Sequence, residues 1–169
     1  MKGTADFYNK TALEWAASGY SDESLIPALL DFARQFPAGS RFLDLCCGCG
    51  YDSRRVHDLG YEVVGIDFSE DSIRIARERN ADIPFYVDNI LNDYSYVGAV
   101  DAIFVIAGLV HIETERLREA FLRMHRVLAD DGGCLSPFAK ETGSGSNGAL
   151  QRSMGRNTTA TLSRIQKKK

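Results

Sequence analysis

The chain has 169 residues, 44% of them apolar and 25% charged, which suits one globular domain and is too short for two of ordinary size. That balance excludes collagen-like, low-complexity and broadly disordered proteins, and no apolar run reaches the roughly 18 to 20 residues of a membrane-spanning helix. The net charge of −3 hides an asymmetry: 1–141 hold all 23 acids against 14 Lys and Arg, a balance of −9, whereas 142–169 hold six Lys or Arg and no acid.

Two amphipathic helices open the chain, over 5–18 and 22–35. Ser21 or Asp22 can cap the second, whose Leu25, Ile26, Leu29, Leu30 and Ala33 form one apolar stripe. Pro37 and Gly39 end it. From Arg41 the rhythm changes. Short apolar runs at 42–45, 62–66, 84–87, 102–106 and 133–138 alternate with helical patterns at 51–59, 70–80 and 114–128. Near-continuous apolar strands separated by helices predict a doubly wound, mostly parallel α/β sheet, with every strand's C-terminal end on one rim. Past Glu141 large aliphatic residues become scarce. The domain is therefore read as 1–141, its first 36 residues helical, and 142–169 as a basic, Gly/Ser/Thr-rich irregular tail.

The chemistry gathers at the strand tips. The first strand ends in Asp44 and runs into a loop where Gly48 and Gly50 permit a tight turn and close backbone approach to a ligand. Asp67 ends the next strand 17 residues beyond Gly50, and an acid there can accept both hydroxyls of a ribose. NAD and S-adenosylmethionine share that logic. The dinucleotide fingerprint asks for a third glycine where this chain has Ser53, preceded by Asp52. A carboxylate repels a pyrophosphate, whereas an acid at Asp44 suits a ligand carrying an ammonium and a sulfonium.

Five segments, in order and spacing, resemble the motifs of class I S-adenosylmethionine-dependent methyltransferases, particularly small stand-alone ones of the tellurite-resistance type. They are FLDLCCGCGYDS (42–53), GYEVVGIDFS (60–69), FYVDNI (85–90), VDAIFVIAGLVHI (100–112) and MHRVLADDGGCL (124–135). The resemblance implies a Rossmann-like methyltransferase core with S-adenosylmethionine as cofactor and a small-molecule methyl acceptor. Asp44, Cys46 and the backbone of Gly48 and Gly50 are then expected at the methionine portion. Asp67 is expected at the ribose, Phe68 at the adenine face, Asp88 at the adenine amino group, with Asn89 and Ile90 shaping that pocket. Ala107 is expected beneath the sulfonium. Phe7, Tyr8 and Trp15 resemble an N-terminal helix that lids the site.

Cys46 and Cys49 stand where the family carries a glycine and a small hydroxyl residue, and a cysteine at 46 calls for an ordinary backbone angle. The family's sheet also continues past its fifth strand, and nothing from Thr142 onward resembles that continuation. The core therefore reads as lacking its last strands, which makes the fifth strand an exposed edge and a surface for a homodimer. His111, four residues beyond Ala107, is the candidate base on the rim, and Tyr8 a candidate for orienting the acceptor. The alternatives are a catalytically inactive cofactor-binding remnant and an NAD-dependent oxidoreductase. Cys46, Cys47, Cys49 and Cys134 form neither a secreted disulfide framework nor a zinc-ligand spacing, so no metal is expected. The acidic body argues against a nucleic-acid partner, and with no signal-peptide pattern and no membrane segment the cytoplasm is the expected location.

Overall fold

The alternation of apolar runs and helical patterns becomes one sheet with helices on both faces. The structure, a computed structural model, describes residues 2–18, 24–136 and 161–164. The elements run α1 (Lys2–Ser18), α2 (Ile26–Ala33), β1 (Arg41–Leu45), α3 (Tyr51–His57), β2 (Glu62–Asp67), α4 (Glu70–Arg79), β3 (Phe85–Val87), β4 (Val100–Phe104), α5 (Leu117–Val127), β5 (Leu128–Ser136) and β6 (Thr161–Arg164). Short 3₁₀ turns lie at Ser95–Val97, Leu109–His111 and Thr114–Arg116.

The strand order is β3-β2-β1-β4-β5-β6, with β1 to β5 parallel and β6 antiparallel to β5. The chain leaves β3 at one edge and re-enters at β4 beside β1. That reversal opens a crevice outside the C-terminal ends of β1 and β4, where such sheets bind ligands. Asp44 lies on β1 level with Gly65 of β2 and Phe104 of β4, so its position in the crevice is fixed by two neighbours.

Both faces of the sheet are buried, as parallel strands require. Leu43, Leu45, Val64, Ile66 and Ile103 point to the layer closed by Ala120, Met124 and Val127 of α5. Phe42, Val63, Ala102 and Phe104 point to the other, against Leu29 and Phe32 of α2, Val56 of α3 and Ile73 of α4. The period of two along each strand sorts these side chains. On α4, Ser69 caps the first turn by accepting a hydrogen bond from the Ser72 N–H at 3.2 Å.

Several boundaries differ from the sequence reading, and three of them bear on how the sheet is built. Helix α2 begins at Ile26 with a proline in its first turn and no side-chain cap; Ser21 and Asp22 lie outside the described residues. Strand β4 ends at Phe104 rather than at 106, although the Val105 N–H still bonds Leu135 O at 2.9 Å. Strand β5 follows α5 directly, because Val100 pairs with Leu128 and Ala102 with Gly133. The Ala-Asp-Asp-Gly stretch between them is absorbed as a bulge instead of a separate turn.

Within the stretch read as an irregular tail, Thr161–Arg164 pair antiparallel with Gly133–Ser136. The outer edge of β5 is thus hydrogen-bonded over those four residues, and a homodimer through that strand has no open edge there. Residues 137–160, Pro137 among them, and 165–169 lie outside the described residues.

Candidate active site

The loop after β1 is built on three departures from ordinary backbone at alternate positions. Cys46, Gly48 and Gly50 all adopt left-handed φ, at +68°, +52° and +77°. The expectation of an ordinary backbone angle at Cys46 is therefore corrected. Its N–H and that of Cys47 both reach Ile66 O, at 2.7 and 3.0 Å, and this pair of bonds turns the chain sharply off the strand end. The two glycines serve different needs. A Cβ on Gly50 would stand 2.8 Å from Phe85 Cζ and 2.9 Å from Asn80 Nδ2, whereas one on Gly48 would meet nothing within 4 Å. Gly50 caps α3 and packs against the protein; Gly48 turns the loop past the cavity.

Four carboxylates line that cavity, three of them at strand tips. Asp44 is 2% exposed, and the Ser53 hydroxyl donates to its Oδ2 at 2.6 Å. Burial, then the nearby Asp52 charge, pushes its carboxyl well above the usual aspartate range, with the Ser53 bond opposing. Asp67 accepts from the Gly48 N–H through Oδ2 and from the Ser69 N–H through Oδ1, both at 2.9 Å. Burial raises it too, and these backbone donors pull it back. Asp88 accepts from the Asn89 N–H (2.7 Å) and Asn92 Nδ2 (2.8 Å) through Oδ1, and from the Tyr96 hydroxyl through Oδ2 (2.9 Å). Each acid is held by donors and keeps at least one lone pair for a ligand.

The far wall comes from the segment after β4. Ala107 has φ +57°, a strained angle for a residue with a Cβ, and it swings the Leu109–His111 turn back over the crevice. A Cβ on Gly108 would lie 2.6 Å from Cys46 Sγ, so that glycine makes room for the cysteine. Helix α1 closes the top. Tyr8 Oη lies 2.8 Å from His111 Nε2, and its ring meets Phe68 edge-on with centroids 6.0 Å apart. Further along, Ser69 Oγ donates to Asn9 Oδ1 at 2.7 Å and Tyr51 Oη to Ala16 O at 2.6 Å.

Of the residues expected at the site, Tyr8, Asp44, Cys46, Gly48, Asp67, Phe68, Asp88, Asn89, Ile90, Ala107 and His111 line one cavity. Gly50 stands just behind it, and the side chain of Trp15 lies outside the described residues. Ile106, Gly108 and Ile112 also line the cavity and escaped the sequence reading, because short apolar side chains carry no chemical signal. The three loop thiols diverge: Cys46 Sγ packs at Gly108, Cys47 Sγ sits under Gly65, and Cys49 Sγ points to Ala12 O at 3.8 Å. Burial and the Asp44 and Asp67 charges push the Cys46 and Cys47 thiols well up, so they are neutral and weakly nucleophilic. Among the described residues no cluster suited to a metal occurs, and no helix is long and apolar enough to cross a membrane.

A doubly wound sheet with acids at three strand tips around a glycine-turned loop defines an α/β domain whose candidate site lies at the switch point of the sheet. Residues 42–132 match the family model described as a methyltransferase domain, and the chain belongs to that family. It is 32% identical over 101 residues to YqeM of Bacillus subtilis, an alignment covering 57% of this chain and 41% of that protein. The chain spans less than half the length of the curated relatives it matches. In fold it is similar to a TehB-like SAM-dependent methyltransferase from Corynebacterium glutamicum, with a TM-score of 0.64, 23% identity and coverage of 82% of this chain and 74% of that one. The DhpI–SAH complex gives a TM-score of 0.69 at 24% identity over 81% and 68% of the two chains. The order of the five parallel strands agrees with the Rossmann-like methyltransferase fold.

Proposed function

We propose that the protein transfers a methyl group from S-adenosylmethionine to a small-molecule acceptor. The observation that carries this reading is the convergence of Asp44, Asp67 and Asp88 on one cavity beside the Gly48 turn. Asp67, held by two backbone N–H groups, presents its remaining lone pairs to a ribose diol. Asp88 faces the adenine amino group, with Phe68 and Ile90 as the flanking apolar surfaces. Buried Asp44 faces the cationic end of the cofactor, where a positive ligand offsets the cost of ionising it. The dinucleotide alternative fits this wall poorly. Asp52 is partly neutralised by Arg55 at 2.8 Å, but Asp44 has no cationic partner among the described residues, and Ser53 fills the place of the third glycine.

When bound, the cofactor supplies an activated methyl on a positively charged sulfur. The chain's part is alignment and exclusion of water, which can lower a barrier by roughly 7 to 11 kcal/mol. Ala107 and Gly108 bring the backbone close beneath the reacting centre, and Tyr8 with His111 closes the side open to solvent. The four cysteines are free, which suits a reducing compartment such as the cytoplasm.

Isothermal calorimetry tests the reading. S-adenosylmethionine and S-adenosylhomocysteine are expected to bind with micromolar dissociation constants. Asp67→Ala is expected to weaken both by about 10- to 150-fold, the equivalent of one charged hydrogen bond of roughly 1.5 to 3 kcal/mol. Absence of heat with either ligand overturns the assignment.

A further inference from the structure

The cavity carries a charge pattern that bears on what can enter beside the cofactor. Its charged lining among the described residues consists of Asp44, Asp52, Asp67 and Asp88, with no Lys or Arg. The nearby cations are engaged elsewhere: Arg55 on Asp52 at 2.8 Å, and Arg79 over the Tyr51 ring at 4.3 Å. From the protein a carboxylate or phosphate on the acceptor would meet like charge and no Lys or Arg. Apart from these acids the lining includes the apolar side chains of Ile66, Ile90, Ile106 and Ile112. Phe7, 53% exposed, meets Tyr8 edge-on with centroids 5.5 Å apart, and Val110, 42% exposed, precedes His111, so apolar surface adjoins the Tyr8–His111 pair.

That pair is the one proton-handling device along the described apolar wall. Tyr8 Oη and His111 Nε2 are 2.8 Å apart, within hydrogen-bond reach. His111 is exposed, and can pass a proton on to water. The N–H of His111 bonds Gly108 O at 3.2 Å, which ties the imidazole's backbone to the turn beneath the reacting centre.

We propose that the cavity takes an uncharged, hydroxyl-bearing acceptor on an apolar body, a phenol in the simplest case, and that Tyr8 and His111 relay its proton to solvent. The inference rests on the cofactor reading above. The acceptor hydroxyl donates to Tyr8 Oη while Tyr8 donates to His111 Nε2. As the acceptor oxygen bonds the methyl carbon, the carbon–sulfur bond breaks and its electron pair stays on sulfur, leaving a neutral thioether. The acceptor proton moves to Tyr8, the Tyr8 proton moves to His111, and the imidazolium releases it to water. Atoms and charge balance with no further reactant. An amine acceptor needs no such relay to attack, and an anion is repelled before it arrives.

The test uses the whole chain and an isosteric series: 4-methylphenol, 4-hydroxybenzoate and 4-methylaniline. On protein saturated with S-adenosylhomocysteine, ligand-observed NMR is expected to show 4-methylphenol binding at least tenfold more tightly than 4-hydroxybenzoate. With S-adenosylmethionine, mass spectrometry is expected to find the methyl on the 4-methylphenol oxygen. Tyr8→Phe and His111→Gln are each expected to slow that transfer about 100-fold or more at pH 7. Both variants should recover as the pH approaches the phenol's own ionisation near ~10, whereas loss of mere packing would depress the rate equally at every pH. Tighter binding or faster methylation of the benzoate or the aniline overturns the proposal. So does failure of 4-methylphenol to bind the saturated protein, or a pH profile unchanged in both variants. Because S-adenosylhomocysteine binding is measured first, its failure identifies the cofactor reading as the fault and removes this proposal with it.

Discussion

Cys46 and Gly108 form a matched pair. Cys46 is held at φ +68°, where a side chain is strained, and its Sγ and Cβ occupy the space that a Cβ on Gly108 would need, at 2.6 and 2.7 Å. Gly108 itself has φ −74° and ψ −44°, an angle any residue adopts, so alanine there is opposed by contact alone. Gly108→Ala is expected to destabilise the protein by about 1 to 3 kcal/mol, the usual cost of overpacking. Cys46→Gly relieves both the strain and the contact, and combined with Gly108→Ala it should recover most of the loss; Val105 Cγ1, 2.9 Å from the new Cβ, sets the remainder. Denaturant titration of the two single variants and the double variant measures the coupling, and strict additivity would refute it. Tyr96 is a second such case. Its hydroxyl orients Asp88 at 2.9 Å, yet it is 53% exposed and eight residues away in sequence. Tyr96→Phe is expected to weaken S-adenosylhomocysteine binding about fivefold, roughly one hydrogen bond of ~1 kcal/mol. S-inosylhomocysteine, which lacks the amino group facing Asp88, should lose less, so the ratio of the two affinities separates orientation of Asp88 from general loosening. The acids themselves were legible because strand tips in a doubly wound sheet share one rim. Tyr96 was not, since its role depends on a 3₁₀ turn that no periodicity announces.

The sequence patterns located the elements to the extent that burial enforces them. Strand β1, buried at four of five positions, and β2, buried at five of six, came out within a residue. Their neighbours on both sides leave the chain no freedom of register. Strand β5 departed most: the apolar run marked it from Gly133, whereas it begins at Leu128, and Phe36 and Phe32 pack where a Cβ on Gly133 would lie, at 2.7 and 3.3 Å. Helix α1 shows how an element can be legible while its attachment is not. It is hydrogen-bonded to Ser69 at the start of α4, to Tyr51 at the start of α3 and to His111 in the turn after β4, so the helix is anchored to the parts it covers. The Ala16 carbonyl is among the last-turn acceptors that a helix end leaves unpaired, and the Tyr51 hydroxyl satisfies it at 2.6 Å. Tyr51→Phe keeps the ring beneath Arg79 and removes only that bond. Amide hydrogen exchange in the second half of α1 is expected to accelerate about fivefold while α4 stays unchanged. Unaltered exchange in α1 would show that the tie does not hold the helix.

Across the whole molecule the site sets stability against function. Burying Asp44 where Asp52 and Asp67 also lie makes its ionised form costly in the fold. A carboxyl raised in the folded state binds its proton more tightly there than in the unfolded chain. Its contribution to stability is full below the ordinary aspartate value near ~3.9 and is lost as pH rises through the higher folded value. This runs against the usual acid denaturation, in which salt-bridged carboxylates lose stability as pH falls. Asp44→Asn preserves an oxygen for the Ser53 hydroxyl, now at 2.6 Å from Asp44, and removes the ionisation. The variant is therefore expected to melt a few degrees above the parent at pH 8 and close to it at pH 4. For a chain of this size each kcal/mol corresponds to about 2 to 4 °C. The same change should weaken S-adenosylmethionine more than S-adenosylhomocysteine, because only the former carries the sulfonium charge that an ionised Asp44 complements. Scanning calorimetry at the two pH values and titration with the two ligands decide the matter together. A variant less stable than the parent at pH 8 would mean that Asp44 is not the destabilised charge. Equal losses for both ligands would mean that its charge does not face the sulfur.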